Sequence, residues 1–205
     1  MIETKQYFNA IDKTIISNII DYYHSIGKYD TPTMNKAPVG KVLSVCQDII
    51  ETCLNKKLEY TQGNFYKHNS PYLPHTDYKS FQNGIINIVI PLHYTESLPH
   101  LVIFDQTWSL DSVTWCMHLP VQRFEINIGV KGCPYEYPVE NLTNHPIDDK
   151  LYKDFLTHYP KDTLFGLSGN SYKFDPGSLI VFDTQTIHCT AKMKGEKIGL
   201  ALRFK

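Results

Sequence analysis

Near residue 57 the spacing of apolar residues changes from that of helices to that of strands, and this change restricts the fold more than any other feature. Before it, in AIDKTIISNIIDYYHSIG, the residues Ile11, Ile15, Ile16, Ile19, Ile20 and Tyr23 recur at helical spacing, with Gly27 as a stop. A second helix fits GKVLSVCQDIIETCLNKK, where Val42, Leu43, Cys46, Ile49, Ile50 and Cys53 form one apolar stripe. The cysteines on that stripe read as small core residues rather than ligands. After residue 57 come short apolar runs punctuated by turn residues: LEYTQGNFYK, a piece near YLPH, GIINIVIPL, HLVIFD, VQRFEINIG, SYKF, GSLIVFD and KIGLALRFK. Eight short strands after two helices predict a mainly β barrel or sandwich braced by helices on one face. Between EINIG and SYKF lies a long irregular insertion, with a helix expected around DDKLYKDFLTHY.

A chain of 205 residues suits one well-buried domain, and no repeat, low-complexity tract or linker divides it. Residues 1–57 read as helical support and 58–205 as the β core, with the insertion at about 105–170. A net charge of −1 gives no overall basic field, which argues against a general nucleic-acid binder and a polybasic membrane-surface protein. No apolar run approaches the ~20 residues that span a bilayer. The five cysteines are odd in number and form no CxxC pair, and no apolar targeting segment follows MIETKQYFNA, so a reduced, cytoplasmic setting is expected.

The stretch SPYLPHTDYKS sets His75 and Asp77 two apart. In an extended segment their side chains point the same way and offer a neutral nitrogen and an anionic oxygen. Two ligands hold a divalent metal poorly; His188, after the apolar strand SLIVFD and the bend TQTI, is the candidate third. Two histidines and one carboxylate on one face of a metal leave open positions, as in non-haem Fe(II) oxygenases, whereas a structural zinc site is closed by four ligands. The strand KIGLALRFK alternates: Ile198, Leu200, Leu202 and Phe204 line one face, Gly199, Ala201 and Arg203 the other. The apolar face suits the amphipathic helices; the stripped face suits a cavity. A buried guanidinium there needs an anion, either a ligand carboxylate or an acidic residue from elsewhere in the chain.

Together these residues resemble the Fe(II)/2-oxoglutarate-dependent dioxygenases of the double-stranded β-helix (jelly-roll, cupin-like) fold, over roughly residues 58–205. GNFY, with Asn64 and Tyr66 eleven and nine residues before His75, resembles the nucleic-acid alkylation-repair branch. A tyrosine near this point is also common in the prolyl-hydroxylase-like branch. DPGSLIVFDTQTIH resembles the turn and strand leading to the distal histidine. The resemblance implies that His75, Asp77 and His188 bind Fe(II), and that Arg203, with Tyr66 and in one reading Asn64, holds the far carboxylate of 2-oxoglutarate. With O2 as the second cosubstrate, the implied reaction hydroxylates a C–H bond of a small molecule, amino acid or protein side chain and releases succinate and CO2. Asp77 stands where halogenating relatives carry a small residue, and the extra arginines of the repair enzymes are missing after Arg203. Two other readings are a cupin-like metal- or ligand-binding module without oxygenase activity, and a nucleic-acid demethylase.

His68, His93, His100 and His118 are expected to lie outside the metal set, and Cys189 to point away from it as buried filler. Asn87, within the apolar IINIVI, is expected to carry either an inward polar role or a structural hydrogen bond. Trp108, Trp115, Tyr135 and Tyr137 are expected either to line a substrate pocket or to cap the barrel.

Overall fold

The computed structural model describes residues 2–26, 39–72, 74–77, 84–108 and 139–205. The expected strand VQRFEINIG and the residues Gly27, Trp115, His118, Tyr135 and Tyr137 lie outside these ranges, as does the side chain of Trp108.

Helix α1 (Lys13–Ser25) starts where the Asp12 carboxylate accepts the Thr14 amide at 2.7 Å, a cap worth ~1 kcal/mol. Helix α2 (Gly40–Leu54) ends where Asn55 turns left-handed, a conformation that asparagine tolerates. Both lie on the outer face of a five-stranded sheet. Its order is β1 (Lys5–Tyr7), β7 (Leu179–Asp183), β3 (Ile86–Tyr94), β9 (Lys197–Phe204) and β2 (Tyr60–His68), with every neighbouring pair antiparallel. The alternation read in the last strand is realised: Ile198, Leu200, Leu202 and Phe204 share one core with Ile16, Ile19, Cys46 and Ile50. Each such side chain removed from water contributes ~1.5–3 kcal/mol, before the entropy of ordering it is subtracted.

The second sheet is built around β4 (His100–Trp108), which pairs with β5 (Val139–Glu140), β6 (Gly169–Lys173) and β8 (Thr186–Thr190). Its outer face buries Val102, Phe104, Ile187 and Cys189 against Ile147, Leu151, Leu156 and Leu164. Those partners come from the insertion, so helical segments brace both outer faces rather than one. The helix expected around DDKLYKDFLTHY is a single α turn, α3 (Asp149–Leu151), continued by a π-helical turn over Tyr152–Leu156. Three short strands among the described residues escaped the sequence reading: β1, β5 and β8, the last expected only as a bend leading to His188. Among the described residues no helix is long and apolar enough to cross a membrane.

Between the sheets, Val89, Ile103, Phe174, Ile180 and Phe182 pack together, with Tyr66 beside them. Next to this apolar plug the facing strands carry polar side chains instead, and these form the site.

Candidate metal centre

Strand parity aims the candidate ligands. On β8, Ile187 and Cys189 point outward into the second core, so the alternate residues Thr186, His188 and Thr190 point between the sheets. The segment carrying His75 is stitched to β8 by two backbone hydrogen bonds, His75 N–H to His188 O and His188 N–H to His75 O, both 2.9 Å. The Asp77 amide donates to Thr184 O at 3.3 Å. These bonds fix the segment against His188 on β8.

The three side chains converge. His75 Nε2 lies 3.5 Å from Asp77 Oδ1, and His188 Nε2 lies 3.5 Å from Asp77 Oδ2. One donor atom from each falls within 4.8 Å of the others, the one such group of three found among the described residues. His188 Nδ1 lies 3.0 Å from Thr186 O. Donation of Nδ1–H to that carbonyl leaves the Nε2 lone pair directed at the centre, as a metal-binding imidazole requires. Burial, with His75 nearby, pushes the His188 pKa down to about 4, so the ring is a neutral donor at physiological pH.

Asp77 is held from two sides. Its Oδ1 lies 3.3 Å from an Arg203 amino nitrogen, and its Oδ2 accepts from Asn87 Nδ2. The β3–β9 register sets Asn87 directly opposite Arg203, so one cross-strand pair grips both oxygens. Burial alone would raise the Asp77 pKa, but His188 and Arg203 outweigh it and keep the carboxyl well below its ordinary range. Asn87 therefore has the inward polar role, and its signal in the sequence was an amide inside an otherwise apolar strand.

The open side of the triad faces a cavity lined by Asn64, Tyr66, His68, Tyr72, Lys197 and Ala201, among others. Tyr66 stands opposite Gly199 in the β2–β9 register. A Cβ built at Gly199 would fall 2.9 Å from Phe174 Cζ and closer still to the Tyr66 phenol, so the glycine is the notch that admits the ring. Asn64, opposite Ala201, lines the cavity while its Nδ2 donates to Phe65 O at 3.2 Å. Arg203, for which the sequence left two partners open, meets the acidic residue from elsewhere in the chain. Burial pushes the pKa of His68 down to about 3, leaving a neutral ring at the cavity wall. His93 is exposed and His100 stacks on Phe155 with centroids 4.5 Å apart, both outside the triad. Cys189 is turned away, and burial pushes its thiol up.

Sequence reading missed Lys197. It continues the inward series 197, 199, 201, 203 one step earlier, but it also ends the turn MKGEK, where a lysine reads as solvated.

No family model matches the sequence, and no curated protein matches it significantly. Solved structures do. The non-heme α-ketoglutarate-dependent epimerase SnoN from nogalamycin biosynthesis superposes with a TM-score of 0.55 at 8% identity, over 98% of this chain and 77% of that one. HygX from Streptomyces hygroscopicus, solved with nickel, 2-oxoglutarate and hygromycin B, gives 0.52 at 10% identity over 98% and 82%. A Pseudomonas putida prolyl-4-hydroxylase gives 0.50 at 12% over 98% and 91%. At such identities the likeness shows the fold: a double-stranded β-helix with flanking helices, shared with non-haem 2-oxoglutarate-dependent enzymes.

Proposed function

We propose that this chain is an Fe(II)- and 2-oxoglutarate-dependent oxygenase. The observation that carries the reading is the convergence of His75, Asp77 and His188 on one point, open on the cavity side. The donor set fits the ion. Two neutral imidazoles and one carboxylate on a single face suit Fe(II) and leave positions for a chelating cosubstrate and O2. A closed structural site would instead need a fourth protein ligand.

Bound there, iron supplies the oxidising chemistry, coupling conversion of 2-oxoglutarate and O2 into succinate and CO2 to insertion of one oxygen atom into a substrate C–H bond. The chain supplies placement. His188 presents Nε2 because its Nδ1–H donates to Thr186 O. Arg203 helps to keep Asp77 ionised, and the Asn87 amide orients it. Asn64 and Tyr66 form the wall against which the cosubstrate lies, and a cation of β9 receives its far carboxylate. Apolar packing beneath the cavity by Val89, Phe174 and Phe182 excludes water from the reacting centre. HygX, solved with hygromycin B, and SnoN, solved with nogalamycin RO, hold small molecules, which supports a small-molecule substrate over a peptide. SnoN is an epimerase; for this chain we propose hydroxylation, Asp77 standing where halogenating relatives carry a small residue.

The test is conversion of 2-oxoglutarate to succinate by the purified chain. Slow turnover that requires Fe(II) and O2, and is lost in His75→Ala and His188→Ala, is expected. Absence of succinate from iron-loaded protein, or full turnover in His188→Ala, would overturn the reading. The cupin-like binding module without oxygenase activity would then take its place.

A further inference from the structure

An electron-rich ring borders the triad on its cavity side. Tyr72 lines the cavity and packs edge-on against His75, with centroids 4.8 Å apart and planes at 87°. A second ring contact, to His68, has centroids 5.0 Å apart. The Tyr72 carbonyl accepts the Thr190 amide at 3.1 Å and the Tyr159 hydroxyl at 2.8 Å, so the backbone is held by β8 and by the insertion. The side chain is thus fixed beside a proposed ligand while remaining only half-buried.

Ligand geometry bounds its distance from the centre. An imidazole nitrogen holds a divalent ion at ~2.1 Å, so an ion on His75 Nε2 lies at most ~8 Å from the centre of the Tyr72 ring. Other side chains near the triad are poorer targets. Phe182 also touches a proposed ligand, His188, at 4.7 Å between centroids, but it is fully buried in the apolar plug and does not line the cavity. The ring contacts of Tyr66 among the described residues are with His68 and Phe174 rather than with the triad. Val89 and Leu101 bring only aliphatic C–H bonds to the cavity wall. The phenol oxygen of Tyr72 enriches the ring carbons beside it, which makes them the readier target for an oxygen-inserting centre.

We propose that Tyr72 is a self-oxidation site, hydroxylated beside its phenol oxygen by the chain's own centre when no other substrate fills the cavity. The inference rests on the oxygenase reading above and adds an activity directed at the chain itself. The reaction balances with the cosubstrates already named. O2 takes four electrons, two from 2-oxoglutarate and two from the ring. One oxygen atom enters succinate as CO2 leaves. The other is inserted into the ring C–H bond, whose hydrogen ends on the new hydroxyl, giving a 3,4-dihydroxyphenyl side chain.

The experiment supplies wild-type protein with Fe(II), 2-oxoglutarate, O2 and catalase, and no further substrate. Succinate is measured; iron is then removed by chelation, and the chain is read by mass and by boronate capture of its peptides, which retains vicinal diols such as the catechol. A gain of 16 Da assigned by fragmentation to Tyr72 is expected, in a fraction of chains at least tenfold above that in a sample lacking 2-oxoglutarate. Boronate should capture the peptide that carries residue 72, and Tyr72→Leu should abolish the capture. Succinate formed while Tyr72 stays unmodified, a mark placed only on another residue, capture that persists in Tyr72→Leu, or a mark equally strong without 2-oxoglutarate overturns the assignment and leaves the oxygenase reading intact. Absence of succinate from iron-loaded protein overturns that reading and this assignment with it.

Discussion

In metal-free protein, Asp77→Ala should be far more damaging than removal of one unused metal ligand would be. The carboxylate lies 3.3 Å from the guanidinium of Arg203, which is 3% exposed, and also accepts from Asn87. Breaking a buried pair by deleting one partner costs ~3–5 kcal/mol, because the other charge is left in a poor solvent. The orphaned Asn87 amide adds ~1–3 kcal/mol unless water reaches it. At ~2–4 °C per kcal/mol for a chain of this size, the pair alone predicts a fall in Tm of ~6–20 °C. Arg203→Met should destabilise by a comparable route, leaving Asp77 without its cation. The double variant Asp77→Ala/Arg203→Met removes both charges and should recover most of the loss, because apolar replacement of a buried pair is often close to neutral. Urea and thermal denaturation with excess chelator measure the cycle. Additivity within ~0.5 kcal/mol would show the two groups to be energetically independent and refute the pairing.

Asn87→Leu removes the donor to Asp77 Oδ2 and should weaken metal binding ~10–100-fold, as loss of an outer-shell partner does; competition with a calibrated chelator measures it. Gly199→Val places a Cβ 2.9 Å from Phe174 Cζ and closer to Tyr66, an overpacking worth ~1–3 kcal/mol, and should lower both Tm and affinity for 2-oxoglutarate. Lys197 predicts a pH effect on stability without ligand. Its pKa is about 7 folded against 10.5 as the reference, so between these values the unfolded chain holds the extra proton and stability rises with pH. Its neighbours are His68 and Tyr66 on β2, Cys189 and Thr190 on β8, and Phe174. The Tm of wild type minus that of Lys197→Met should therefore increase from pH 7 to pH 9; a constant difference would contradict the burial of the charge.

The parts of this molecule that were legible in the sequence are those set by strict periodicity. Ile198, Leu200, Leu202 and Phe204 announce a strand with one face on a core, and the helices supply that core through Ile16, Ile19, Cys46 and Ile50. His75 and Asp77 are legible because two residues in an extended segment share a side, and Cys189 is excluded from the ligands by the same parity. Strand β8 was not legible. Its five residues, TIHCT, alternate too briefly and are too polar to stand out, and their pairing with β4 is a long-range fact. Arg203 and Asp77 are 126 positions apart in sequence, so only the closed sandwich shows that they meet. Lys197 was hidden by position, at the junction of a turn and a strand, where composition favours solvent and register favours the cavity. The insertion's helices were underestimated as a second brace because one α turn and a π turn leave little periodic signal.

Anaerobic equilibrium dialysis against Fe(II), with iron and protein quantified together, probes the triad most directly. One tightly held ion per wild-type chain is expected, and its loss in each of His75→Ala, Asp77→Ala and His188→Ala, with the fold of every variant verified by circular dichroism. A folded variant of any one of the three that keeps a full equivalent of iron at wild-type affinity would contradict it.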